Sequence, residues 1–148
     1  MTELSVSLVG AEKLLDKLKS VADKIDEKVF EVVKNTTIKV NSTAINSMKT
    51  GGGGLGKGKT PRRSRPGNPP YVQTGYLKSN VTFELPTLIK GRKIIGKVGV
   101  KDIVPYARAL EYGYPPRNLK ERPFLRPALA KHILQFEKEL SDIIGVIK

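Results

Sequence analysis

The sequence predicts an α+β domain: a small antiparallel β-sheet packed by a long N-terminal helix and a C-terminal helix, with a long basic Gly/Pro loop. Three observations carry this. Two long segments, 11–49 and 123–147, step their apolar residues by three and four, the period of a helix with one buried face. Between them, Val81–Leu85 and Ile94–Val100 read as a hairpin turning at Lys90-Gly91-Arg92. Glycine and proline dominate 50–70, so no regular element is expected there.

The elements follow in order. Leu4, Val6 and Leu8 alternate with Ser5 and Ser7, which suggests a short strand with one buried face that ends at Gly10. The first helix then runs from about Ala11 to Lys49 without a proline or glycine, roughly 60 Å at 1.5 Å per residue. Its weak point is the β-branched, polar cluster Asn35–Val40, where a kink or break would fall. Seven basic and six acidic residues between Ala11 and Met48 nearly balance, as on a solvated face. Beyond the loop, Thr74 can cap a short helical turn. After the hairpin, Tyr106 to Glu111 reads as a short helix and Tyr112 to Arg122 as a loop. Pro123 and Pro127 sit at the start of the last helix, where proline is tolerated. Its stripe is Leu125, Ala128, Leu129, Ile133, Phe136, Leu140, Ile143, Ile144 and Ile147. At 148 residues the chain fits one domain, 1–148, with 49–70 as a flexible basic loop insertion.

Composition narrows the chemistry. There is no cysteine, hence no disulfide framework and no thiolate metal site. His132 is the single histidine, which rules out a multi-histidine metal site, and its place on the last helix suits an ordinary helix-face residue. The carboxylates Glu84, Asp102 and Glu111 fall near the sheet, but nothing in the sequence pairs them. Gly53-Gly54-Leu55-Gly56-Lys57-Gly58-Lys59-Thr60 matches a phosphate-loop pattern, but that motif needs a strand before it and a helix after it. Here a helical pattern precedes it and Pro61-Arg62-Arg63 follows. No catalytic activity and no cofactor are expected. No stretch approaches the roughly 20 apolar residues of a membrane helix. The first ten residues lack the basic start of a signal peptide, so synthesis and assembly in a cytoplasm are expected.

The net charge is +13, from 27 basic and 14 acidic residues, an excess that favours a polyanionic partner. Lys49, Lys57, Lys59, Arg62, Arg63 and Arg65 supply six of those charges from one stretch without an acidic residue. This loop is the candidate contact with DNA or with an acidic protein face. Contact with DNA there would be sequence-independent, and the absence of aromatic residues argues against base stacking.

Three segments stand out together: Thr74-Gly75-Tyr76-Leu77-Lys78-Ser79, Val104-Pro105-Tyr106-Ala107-Arg108-Ala109-Leu110-Glu111-Tyr112-Gly113 and Arg122-Pro123-Phe124-Leu125-Arg126-Pro127-Ala128-Leu129. With the helix start Gly10-Ala11-Glu12-Lys13-Leu14 before them, they form an ordered set that covers nearly the whole chain. In this the chain resembles the small neck or tail-completion proteins of siphophages, the gene-product-ten-like family of HK-type lambdoid phages. It differs from them in its long basic loop before Thr74 and in Tyr114 after Gly113.

The resemblance implies a structural, non-enzymatic virion protein assembled in the bacterial host. It implies a homo-oligomeric ring, six-fold to match the tail, at the neck between capsid and tail. Its neighbours would be connector or head-completion proteins and tail-tube or terminator proteins, with genomic DNA passing through and no membrane contact. Thr74, Gly75, Leu77, Tyr106, Glu111, Gly113, Pro123, Phe124, Leu125 and Pro127 would then build the fold and the subunit contacts. Gly75 and Gly113 suit points where a side chain would obstruct the backbone. Tyr106, Phe124 and Leu125 suit large apolar anchors. Charge alone supports a second reading, a free, sequence-independent nucleic-acid-binding protein.

Overall fold

The computed structural model describes residues 11–49, 63–89 and 93–145. The strand expected over Leu4–Leu8, the turn Lys90–Arg92 and the basic residues Lys57, Lys59 and Arg62 lie outside them. The described chain is α+β. Helix α1 (Ala11–Ser47) leads, followed by the short helix α2 (Tyr76–Ser79) and strands β1 (Val81–Ile89) and β2 (Lys93–Val100). Helix α3 (Ala107–Tyr112), a 3-10 turn at Pro115–Arg117 and helix α4 (Leu125–Gly145) complete it.

Helix α1 runs unbroken through Asn35–Val40, so no break falls there. Local propensity is weak against burial. Thr37 is buried, and its Oγ1 donates to the Val33 carbonyl at 2.7 Å, which satisfies the hydroxyl inside the helix. Val40, Asn41, Ala44 and Met48 are buried on the same face. At 37 residues the helix is about 55 Å long, and it touches both the sheet and α4.

Strands β1 and β2 pair antiparallel, Val81 opposite Val100 and Ile89 opposite Lys93. The register shifts between Glu84 and Thr87, where Leu85 and Pro86 face Gly96 alone. That extra residue is a bulge, and it explains how Pro86, which has no N–H for a ladder, sits inside a strand. Gly96 lies against Thr37 and Val33 of α1, where any side chain would collide with the Thr37 hydroxyl. The sheet therefore rests directly on the helix.

Helix α4 lies antiparallel to α1. Thr43 meets His132 at 2.7 Å (Oγ1 to Nε2), and Lys39 meets Glu139 at 3.6 Å, so moving forward along α4 moves backward along α1. The core lies where α1, β1 and the start of α4 meet: Val40, Ala44, Met48, Val81, Phe124 and Ala128, with Leu77, Val98 and Leu125 packed around them. Phe124, 1 % exposed, is its largest fully buried side chain, a burial that contributes about 1.5–3 kcal/mol.

Candidate functional site

The three motif segments meet at one junction at the C-terminal end of α1. The first turns at Gly75, whose φ of 78° explains the glycine. Nothing would crowd a side chain there, so the reason is the backbone angle and not the obstruction expected from the sequence. The Thr74 hydroxyl accepts from the Tyr76 N–H at 3.3 Å, and Leu77 packs on the core. The Val72 N–H donates to the Lys49 carbonyl at 2.9 Å, which ties this segment to the end of α1. Its Tyr76 hydroxyl donates to the carbonyl of Ile103, the residue just before the second segment, at 3.4 Å.

The second and third segments are joined by Glu111, which is 3 % exposed. Its Oε2 accepts from the backbone N–H groups of Phe124 and Leu125 at 2.8 and 3.1 Å. Its Oε1 accepts from the Arg126 N–H at 2.9 Å and the Arg126 Nε at 3.3 Å. A helix leaves its first four N–H groups without internal partners. Here three of them meet one carboxylate, and Pro127 has none to offer. The negative charge also faces the positive end of the helix dipole. Glu111 is thus the cap of α4, supplied from α3.

Arg126 completes the clamp. Its Nη2 donates to the Glu111 carbonyl at 2.7 Å and to Glu121 Oε2 at 2.6 Å, and its guanidinium lies 5.2 Å from the centre of the Tyr112 ring. The hydrogen bond to Glu121 is the main cause raising the Arg126 pKa above its ordinary value, with Glu111 adding to it. Gly113 ends α3 at φ 78° and ψ 170°, and a side chain there would come within 3.0 Å of the Leu119 carbonyl. That fits the obstruction expected at this glycine. The following loop is ordered: Tyr114 and Leu119 form an isolated antiparallel bridge around the 3-10 turn.

Of the expected anchors, Phe124 is buried and Leu125 partly so, but Tyr106 is 43 % exposed. Tyr106 is therefore no core anchor. It sits as the residue before α3, and its neighbour Ala107 takes the buried position. Pro123 lies just ahead of α4 and Pro127 in its first turn.

Of the loop expected over 49–70, residues 63–70 are held against the body. The Arg122 Nε donates to the Ser64 carbonyl at 3.1 Å, and the Gly67 N–H donates to the Glu121 carbonyl at 2.9 Å. Ser64 and Pro70 are buried, whereas Lys49, Arg63 and Arg65 are exposed. Arg63 borders a depression of about 290 Å³ together with Tyr71, Lys78, Tyr106 and Arg122. Sequence reasoning missed this grouping. The basic stretch itself holds no aromatic residue, but the fold carries two tyrosines to its edge from residues 71 and 106. No local signal marks them, because they come from separate segments.

Among the described residues no group of three or more His, Asp or Glu side chains is placed to hold a metal ion, and no helix is long and apolar enough to cross a membrane. Glu84 pairs with the exposed Lys97 at 3.0 Å. Comparisons with protein-family models, with curated proteins and with solved structures find no match to this chain.

Proposed function

We propose that the chain is a structural, non-enzymatic subunit of the ring that joins head to tail in a tailed bacteriophage. In this reading identical copies form a ring, six-fold to match the tail. The ring attaches the tail to the capsid, through connector or head-completion proteins on one side and tail-tube or terminator proteins on the other, and lines or seals the channel through which DNA passes.

One observation carries the proposal: the three motif segments meet at one junction. The glutamate of Glu-aromatic-Gly caps the helix that opens with Pro-Phe-Leu-Arg-Pro, through Glu111 and the amides of Phe124 to Arg126. Residues that depend on one another in this way are what a fold-defining signature consists of, and the signature resembles that of the neck family. The basic stretch supports the same reading. Six basic residues per chain, repeated around a ring, make a positive collar able to face passing DNA without reading its sequence.

Immunogold electron microscopy of purified virions tests the proposal. Label confined to the neck is the expected result, and virions without label would sink it. The charge of +13 and the tyrosines beside Arg63 favour a second reading, a free nucleic-acid-binding protein. Salt-sensitive binding of the isolated chain to duplex DNA, together with absence from virions, would select it.

A further inference from the structure

The sheet has room for one more strand, at a place its own chain cannot fill. Beside β2 runs an open groove of about 1040 Å³. Its floor is α1 at Val33, Thr37 and Val40, and its far bank is α4 at Leu129, Ile133 and Phe136. The near bank is β2, along Ile94 to Val98, and no residue of β1 borders the groove. Consecutive residues of a strand point to opposite faces, so a groove that meets all of them lies along the strand's edge. That edge has no strand beside it among the described residues, because the sheet there is β1 and β2 alone. An unpaired edge offers a row of N–H and C=O groups to an added strand, and two strands by themselves make a marginal sheet.

The sequence contains a segment of matching chemistry. Leu4-Ser5-Val6-Ser7-Leu8 has one apolar face and one serine face. Laid beside β2, the apolar face would turn onto α1 and the serines toward solvent. Its own α1 keeps it away. Val33 lies about 33 Å along the unbroken helix from Ala11. Leu4, seven residues ahead of Ala11, reaches at most about 25 Å at full extension. Pairing along Ile94–Val98 centres on Gly96, which lies against Val33. Val6, five residues ahead of Ala11, reaches at most about 18 Å. Residues 4–8 can therefore pair along this edge only between copies. The start of α1 is shaped for such delivery. Its Leu14, Leu15, Leu18 and Val21 are 46–59 % exposed, and the facing bank of the groove leaves Leu129 51 % and Ile133 42 % exposed.

We propose that residues 4–8 of one copy add as a third strand to the outer edge of β2 in a neighbouring copy. Donor and acceptor are different patches of the same chain, so the contact is head-to-tail. Repeated contacts of this kind close into a ring when the rotation between copies allows it. The proposal deepens the ring-subunit reading and rests on it for its setting, but it is tested in solution.

The experiment compares the full chain with two variants: one lacking residues 2–9, and one carrying Leu4→Ser, Val6→Ser and Leu8→Ser. Sedimentation and amide hydrogen exchange are followed over a concentration series. The full chain is expected to form oligomers, with amides of Ile94–Val100 exchanging at least tenfold more slowly in the assembled state. Both variants are expected to stay monomeric with an unchanged circular dichroism spectrum and no added protection. Because the chain has no native cysteine, Ser7→Cys in one copy and Lys97→Cys in another should form a disulfide between chains. Variants that assemble like the full chain overturn the proposal. So does a full chain that stays monomeric with β2 unprotected, protection confined to β1, or a disulfide that forms within one doubly substituted chain. Neck label on virions whose protein shows no strand exchange would remove this inference and leave the ring reading. Strand exchange in solution with unlabelled virions would do the reverse.

Discussion

Glu111 holds Phe124 in place through its backbone: Oε2 accepts the Phe124 N–H at 2.8 Å, and the same oxygen accepts from Leu125 at 3.1 Å. One carboxylate on α3 thereby decides where α4 begins, and the side chain of the first residue it holds fills the core. Glu111→Ala leaves these amides without an acceptor in a site that water does not readily reach. The expected loss is roughly 2–4 kcal/mol of folding stability, from hydrogen bonds to a charged group and a lost cap. Glu111→Gln keeps one oxygen and should lose about half as much. Urea unfolding measures both, and an Ala variant with an unshifted midpoint would refute the capping role.

The two motif glycines should answer substitution differently. Gly75, at φ 78° and ψ −8°, lies in the left-handed region that asparagine tolerates, and nothing crowds it. Gly75→Asn is expected to change stability by less than about 1 kcal/mol. Gly113, at φ 78° and ψ 170°, lies where essentially only glycine is found, with the Leu119 carbonyl 3.0 Å from a built side chain. Gly113→Asn is expected to cost about 2 kcal/mol or more. Thermal melts that rank the two in the opposite order would remove this explanation.

Phe124 and Tyr106 should also separate. Phe124→Ala opens a cavity in the core and is expected to cost about 3–5 kcal/mol. Tyr106→Ala removes an exposed ring and is expected to stay within about 0.5 kcal/mol. If Tyr106 belongs to a contact surface, its loss will appear in assembly or DNA binding and leave the melting temperature alone.

The boundary of the basic loop gives a further contrast. Replacing residues 51–60 with a short Gly-Ser linker should leave the urea midpoint unchanged and, on the ring-subunit proposal, lower phage yield. Extending the deletion to Pro66 also removes Ser64 and its bond to Arg122, and should cost an additional ~1 kcal/mol, that of one partly buried hydrogen bond with its packing. Equal stability of the two deletions would mean that the Ser64 contact contributes nothing.

Periodicity made much of this fold legible. The two long helices and the hairpin follow from steps of three or four and of two, which survive because each element buries one face. What escaped lies where two distant segments decide together. The Glu111 cap could not be read because the groups that donate to it are backbone amides, which no residue type announces. The alternation carried β1 only from Val81 to Leu85, but the bulge opposite Gly96 lets the strand pass Pro86 and continue to Ile89. Asn35–Val40 read as weak helix because propensity is local, whereas Thr37, Val40 and Asn41 are held by burial. Tyr106 read as an anchor because an aromatic residue in a motif invites that role. The structure gives the buried position to Ala107.

The placement of Phe124 has a consequence for synthesis. The hydrophobic surface it covers, Val40, Ala44 and Met48, belongs to the first third of the chain. Domains begin to fold while they are being made. A chain interrupted before Phe124 would leave that surface open to water and to proteases, with Glu111 facing no helix. A cut-short copy is therefore a substrate for degradation and not a defective competitor. The order of translation thus keeps the core open until its last helix is made.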